Sequence, residues 1–109
     1  MKAGRVFLHH TPVGTITNRD GTYEFTYDPD YCTQLNAPAI SLTLPVRAEP
    51  YRSRTLHPFF DGLIPEGWLL EVASQNWMID PRNRLELLLT LCGNCIGAVS
   101  VKRILGEEP

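Results

Sequence analysis

The residues best suited to chemistry are Cys92-Gly93-Asn94-Cys95, a CxxC, and the pair His9-His10. A CxxC supports either a redox dithiol or half of a zinc site. Zinc takes four ligands, so two more are needed at suitable spacing. The third histidine is His57, and the sequence has neither a second CxxC nor a spaced histidine pair. A redox dithiol is activated at a helix N-terminus. This CxxC instead follows a helical pattern, where the dipole end is negative and a thiolate is disfavoured. His9 and His10 read as strand neighbours that point to opposite faces, so they cannot easily serve one substrate atom. No serine or cysteine has a recognisable histidine and acid arranged around it. The expectation is a protein that is not an enzyme, with no catalytic residue, no cofactor and no metal ligand.

Binding is the remaining class, and Trp68 is its leading residue. One rigid side chain of this kind buries a large area at small entropic cost. Pro65 and Gly67 put Trp68 at a helix start, about 100° round the helix from Leu69 and so at the rim of the buried face. The competing reading is a tryptophan that completes the edge of the core. Trp77, near the end of the same helix, is the rival anchor. The expected partner-binding set is Trp68 with Glu66, Gly67 and Asp61. Phe59, Phe60, Leu63 and Ile64 crowd four large apolar residues into six positions, which suits a core better than an interface.

The elements that must position these residues follow from periodicity. Val6-Phe7-Leu8 begins a strand, Thr11-Pro12-Val13-Gly14 reads as a turn, and Thr15-Ile16-Thr17 is a second strand. Asp20-Gly21 is a hairpin signal, because glycine accepts positive φ without a Cβ clash. Tyr23, Phe25 and Tyr27 alternate with Glu24 and Thr26, predicting a third strand with its aromatics on one face. Tyr31 to Leu35 suits one helical turn. Ala39 to Leu44 is a short extended piece limited by Pro45, and residues 46–56 read as a loop. Pro58 and Pro65 each suit the first position of a helix, where the missing N–H is unpaired anyway. Asp80-Pro81 opens a third helix, in which Leu85, Leu88, Leu89 and Cys92 stack at helical spacing, and Gly93 closes it. Ile96 to Val101 is a last strand, and Lys102 to Pro109 a flexible tail. Strands and helices segregate, so the class is α+β: a small antiparallel sheet, made of an N-terminal three-strand meander and a C-terminal strand, covered by three helices.

Composition bounds the function further. With 109 residues, 43% hydrophobic and 20% charged, the chain has ordinary globular content for one domain spanning 1–109. A net charge of −2 gives no general attraction to nucleic acid or anionic membrane. Arg47, Arg52 and Arg54 cluster loosely, but Glu49 sits among them, as on a solvated loop. No apolar run approaches the ~18 residues of a membrane span, and no signal-peptide core follows Met1-Lys2-Ala3-Gly4-Arg5. Three cysteines, an odd number without a secretion signal, fit free thiols in a cytoplasmic protein.

Two segments carry a resemblance. Phe59-Phe60-Asp61-Gly62-Leu63-Ile64-Pro65-Glu66-Gly67 and Gly93-Asn94-Cys95-Ile96-Gly97-Ala98-Val99 are similar to FF-x-x-LLPEG and G-x-C-x-GA-V of the N-terminal subdomain of HipA-type serine/threonine kinases. Ala39-Ile40-Ser41-Leu42-Thr43-Leu44-Pro45 resembles that family's L-S-x-S-L-P piece, with Thr43 in place of the second serine. Asn94 stands where the family often has aspartate. Cys95 takes the family's cysteine position, which makes a buried structural thiol the simplest reading of the CxxC.

A kinase needs a glycine-rich phosphate loop, a lysine for the phosphates and metal-binding acids. This sequence has no such loop, and its only lysines are Lys2 and Lys102. In the resembling kinases the catalytic body follows this subdomain, and here the sequence ends ten residues past the second segment. The expected pattern is therefore the small component of three-gene HipBST toxin–antitoxin systems, which binds and inhibits the kinase, or else a non-inhibitory subunit that completes a split HipA-type kinase. That resemblance implies a HipT-like kinase toxin as direct partner and a HipB-like DNA-binding protein joined through a ternary complex. It also implies that the kinase phosphorylates aminoacyl-tRNA synthetases, and that this chain itself touches neither nucleic acid nor membrane.

Overall fold

Alternation of small or polar with large apolar residues builds a sheet, and the sheet organises everything else. The computed structural model describes residues 2–64, 83–91 and 98–104. Within these the strands are β1 (Lys2–Leu8), β2 (Thr11–Arg19), β3 (Thr22–Tyr27), β4 (Tyr51–Ser53) and β5 (Val99–Arg103). Every neighbouring pair is antiparallel, in the order β4-β3-β2-β1-β5. The expected meander forms the centre, and the C-terminal strand joins it beside β1.

Three sequence expectations about the sheet are corrected. The first turn lies at His9-His10, both at positive φ (50° and 73°), not at Thr11-Pro12-Val13-Gly14, which belongs to β2. Two successive positive-φ residues make the turn whose twist matches a right-handed hairpin. The β1–β2 pairing skips Val13, whose carbonyl instead accepts the Asp28 N–H at 2.8 Å. Second, the loop expected over 46–56 contains β4, which places Arg52 opposite Glu24 and forms an ion pair with it. Third, β5 runs on through Lys102 and Arg103, the first two residues of the expected tail. The Asp20-Gly21 turn is as anticipated, with φ of 54° and 83°.

Among the described residues the helices are α1 (Pro29–Cys32), α2 (Pro58–Asp61) and α3 (Arg84–Leu91). Asn83 Oδ1 accepts the Glu86 N–H at 3.3 Å, so Asn83 caps α3. The expected helix from Pro65 and the expected cap Asp80-Pro81 lie outside the described residues. Leu85, Leu87, Leu88 and Leu89 are all buried, as in a helix packed on more than one side. Arg103 forms a two-pronged ion pair with Glu86, at 2.6 and 3.1 Å, that ties β5 to α3. Helix α3 comes so close to β1 that a Cβ on Gly4 would lie 2.4 Å from Leu89 Cδ2 and 2.9 Å from Val101 Cγ1. Any side chain at position 4 would have to push Leu89 and Val101 aside.

One face of the sheet carries Val101, Val6, Ile16 and Phe25, and these join Phe60 and the α3 leucines in a single core. Phe25 sits at the centre of an aromatic set, with ring centroids 4.8 Å from Tyr27 and 5.2 Å from Phe60. The segment 39–44 is a tight turn, not a strand. The Leu44 N–H donates to Ser41 O at 3.0 Å, and Ile40 and Leu44 are buried on either side.

Candidate partner-binding site

The Phe59-Phe60-Asp61 segment is helical because its start is well made. Pro58 takes the first helical position, and the His57 ring accepts the Phe59 N–H through Nδ1 at 3.0 Å. This arrangement requires a neutral ring, and burial pushes the His57 pKa down in the same direction. The helix then sends Phe60, with no exposed surface, into the core, while Phe59 packs edge-on against it at 5.3 Å. The apolar members of the segment are thus partly scaffold, as their density in the sequence implied.

Asp61 ends the helix. Its Oδ1 accepts from Arg84 Nε at 2.7 Å, joining the last residue of α2 to the first of α3. The two side chains are 43% and 32% exposed, so the pair sits at a rim. Asp61 is therefore a strut as well as a rim residue. Glu66, Gly67 and Trp68, which complete the expected binding set, lie outside the described residues, as does the rival Trp77.

The residues first considered for chemistry are not assembled into a site within the described region. His9 and His10 form the exposed hairpin turn rather than two faces of a strand. Cys92 and Cys95 lie outside the described residues. Cys32 Sγ contacts Arg47 O at 3.4 Å, a weak thiol hydrogen bond. Among the described residues no group of three or more His, Cys, Asp or Glu side chains could hold a metal ion. No helix among them is long and apolar enough to cross a membrane.

A cleft of about 140 Å³ opens between β4 and α2, lined by Tyr23, Arg47, Tyr51, Thr55, His57 and others. Its charges are already committed. The Arg47 guanidinium lies 3.7 Å over the Tyr51 ring and donates to Glu49 O and Pro50 O, both at 3.1 Å. Arg52 pairs with Glu24. The His57 nitrogen nearest α2 is occupied by its cap.

Sequence reasoning missed one surface feature. The two large apolar side chains exposed among the described residues are Leu42, at 99%, and Leu35, at 91%. Both lie in the connection between α1 and β4. A strict period of two groups Ile40, Leu42 and Leu44 on one face. The Ser41–Leu44 turn breaks that period and leaves only Leu42 outside.

The chain has clear relatives. The profile of the HipA N-terminal domain family matches residues 4–102. The fold superimposes on the solved N-terminal domain of HipA toxin with a TM-score of 0.76 and 27% identity, covering 98% of this chain and 96% of that one. An uncharacterized protein of Haemophilus influenzae is 32% identical over 102 residues, which is 94% of this chain and 92% of that protein. Two Sinorhizobium fredii proteins with kinase names are also similar. Y4mE is 37% identical over 90 residues and Y4dM 31% over 111. The match spans only 21% and 27% of these two proteins.

Proposed function

We propose that this chain, which belongs to the family of HipA N-terminal domains, is a HipS-type antitoxin that binds a HipT-like kinase and keeps it inactive. The observation that carries the reading is a contrast in length. The same domain makes up 92% of the Haemophilus relative but only 21–27% of the kinase-named relatives. A domain found both nearly alone and within a longer kinase-named chain has a natural partner: the body it packs on when fused. A surface that is internal in the fused chain becomes an interface between separate chains.

The mechanism is binding without chemistry of its own. The chain docks on the kinase N-lobe, and Trp68, with Glu66 and Gly67 beside it, wedges near the nucleotide or substrate cleft. Asp61 supports that edge through its link to Arg84. A HipB-like DNA-binding protein joins through the kinase, so the chain contacts no nucleic acid. The site of action is the cytoplasm.

Co-expression with a HipT-like kinase tests the reading. Growth arrest by the kinase should be relieved by the wild-type chain, and relief should weaken with Trp68→Ala while the melting temperature stays unchanged. Full relief by Trp68→Ala, or its loss of folding, would end the wedge mechanism. A second reading, a non-inhibitory subunit that completes a split kinase, draws on the fused arrangement in Y4mE and Y4dM. It requires the opposite outcome, a rise in toxicity on co-expression.

A further inference from the structure

A braced turn holds one leucine out in solvent. Leu42 is 99% exposed. Isolated exposed leucines are common and mean little. What distinguishes Leu42 is the bracing beneath it. The Tyr27 hydroxyl donates to Leu44 O and accepts the Ile40 N–H at 3.1 Å. The Tyr31 hydroxyl donates to Pro38 O at 2.5 Å, and the Tyr51 hydroxyl to Pro45 O at 2.5 Å. Above these, Ser41 Oγ accepts the Thr43 N–H at 3.2 Å and lies 2.9 Å from Thr43 Oγ1. Phenol groups from β3, α1 and β4 thus fasten both ends of one turn.

The consequence is pre-organisation. Ile40 and Leu44 are anchored in the core, so the loop gains no burial by exposing Leu42. A turn whose backbone is already braced loses little further backbone freedom when a partner covers the side chain it presents. The Ser41 and Thr43 hydroxyls beside Leu42 supply a polar rim.

We infer that the Ser41–Leu44 turn is a docking knob, with Leu42 seated in an apolar pocket on the body of the kinase partner. The inference rests on the kinase-binding reading above. The occupant is argued from the kinase-named relatives, in which the domain accounts for 21% and 27% of the chain and the remainder is at hand to cover it. The knob is separate in sequence from Trp68.

The test is titration calorimetry of the full chain against a purified HipT-like kinase whose phosphoryl transfer has been disabled. Leu42→Asp should weaken binding by about tenfold or more, as loss of a buried apolar anchor does, with no change in melting temperature. Leu42→Met should bind nearly as the wild type. Equal affinity of wild type and Leu42→Asp overturns the knob and leaves the kinase-binding reading intact. Absence of kinase binding by the wild type overturns both. A wild-type dimer that Leu42→Asp disperses, with kinase affinity unchanged, assigns the knob to a second copy of the chain and overturns the kinase pocket.

Discussion

Asp61 and Arg84 meet at 2.7 Å, although 22 residues of sequence separate them, and their contact joins the end of α2 to the start of α3. Both are partly exposed, so the pair is worth little as stability, about 0.2–1 kcal/mol. Asp61→Asn and Arg84→Gln should each lower stability by about that much, and the double variant should cost no more than either single change. Urea unfolding of the three variants measures this. A fully additive double variant would show that the two side chains do not act on each other.

The buried hydroxyl of Tyr27 should matter more. Burial raises its pKa, though the Ile40 N–H pulls the other way, so the phenol stays protonated and donates to Leu44 O. Tyr27→Phe keeps the ring contacts with Phe25 and Tyr31 but orphans a buried carbonyl and a buried N–H. The expected loss is about 1–3 kcal/mol. An unchanged denaturation midpoint would mean that the turn finds other partners.

The Asp61–Arg84 contact and the Tyr27 clamp mark what the sequence could and could not reveal. The meander was legible because Tyr23, Phe25 and Tyr27 alternate with polar residues and Asp20-Gly21 supplies a turn. The helix start at Pro58 was legible from proline chemistry. The His9-His10 turn was hidden, because neither residue is a habitual turn former and Thr-Pro-Val-Gly nearby looks like one. Strand β4 was hidden because three residues with one charge carry no period, and only the Glu24–Arg52 register reveals it. Phe60 was readable as core. The Asp61–Arg84 contact was not, since nothing local links residues so far apart. The exposure of Leu42 was hidden, because an extended piece over 39–44 would group it with Ile40 and Leu44. The tyrosine clamps that bend the segment come from elsewhere in the chain.

Gly4 is expected to be intolerant. Gly4→Ala places a methyl against Leu89 and Val101, and overpacking of this kind costs about 1–3 kcal/mol. Leu89→Ala opens room at the same point. The double variant should therefore lose less than the sum of the two single losses. Simple additivity in thermal or urea unfolding would place the clash elsewhere.

His57 should give the fold a pH dependence. Its folded pKa lies below the ordinary 6.5, because burial disfavours the charged ring. Protonation also removes the acceptor for the Phe59 N–H. The stability from the neutral ring is complete above pH 6.5 and is lost as pH falls through the lowered folded value. His57→Asn keeps a capping acceptor but cannot be protonated, so it should flatten the decline in melting temperature between neutral and mildly acidic pH. If the variant declines as steeply as the wild type, other groups set the acid limb.

The central claim is that this domain silences a HipT-like kinase. It is tested most directly by following phosphoryl transfer by such a kinase in vitro while the wild-type chain is titrated in. The account predicts that transfer falls progressively to a saturating minimum, and that Trp68→Ala shifts the curve to higher concentration. Transfer that stays constant, or rises as the chain is added, would contradict it.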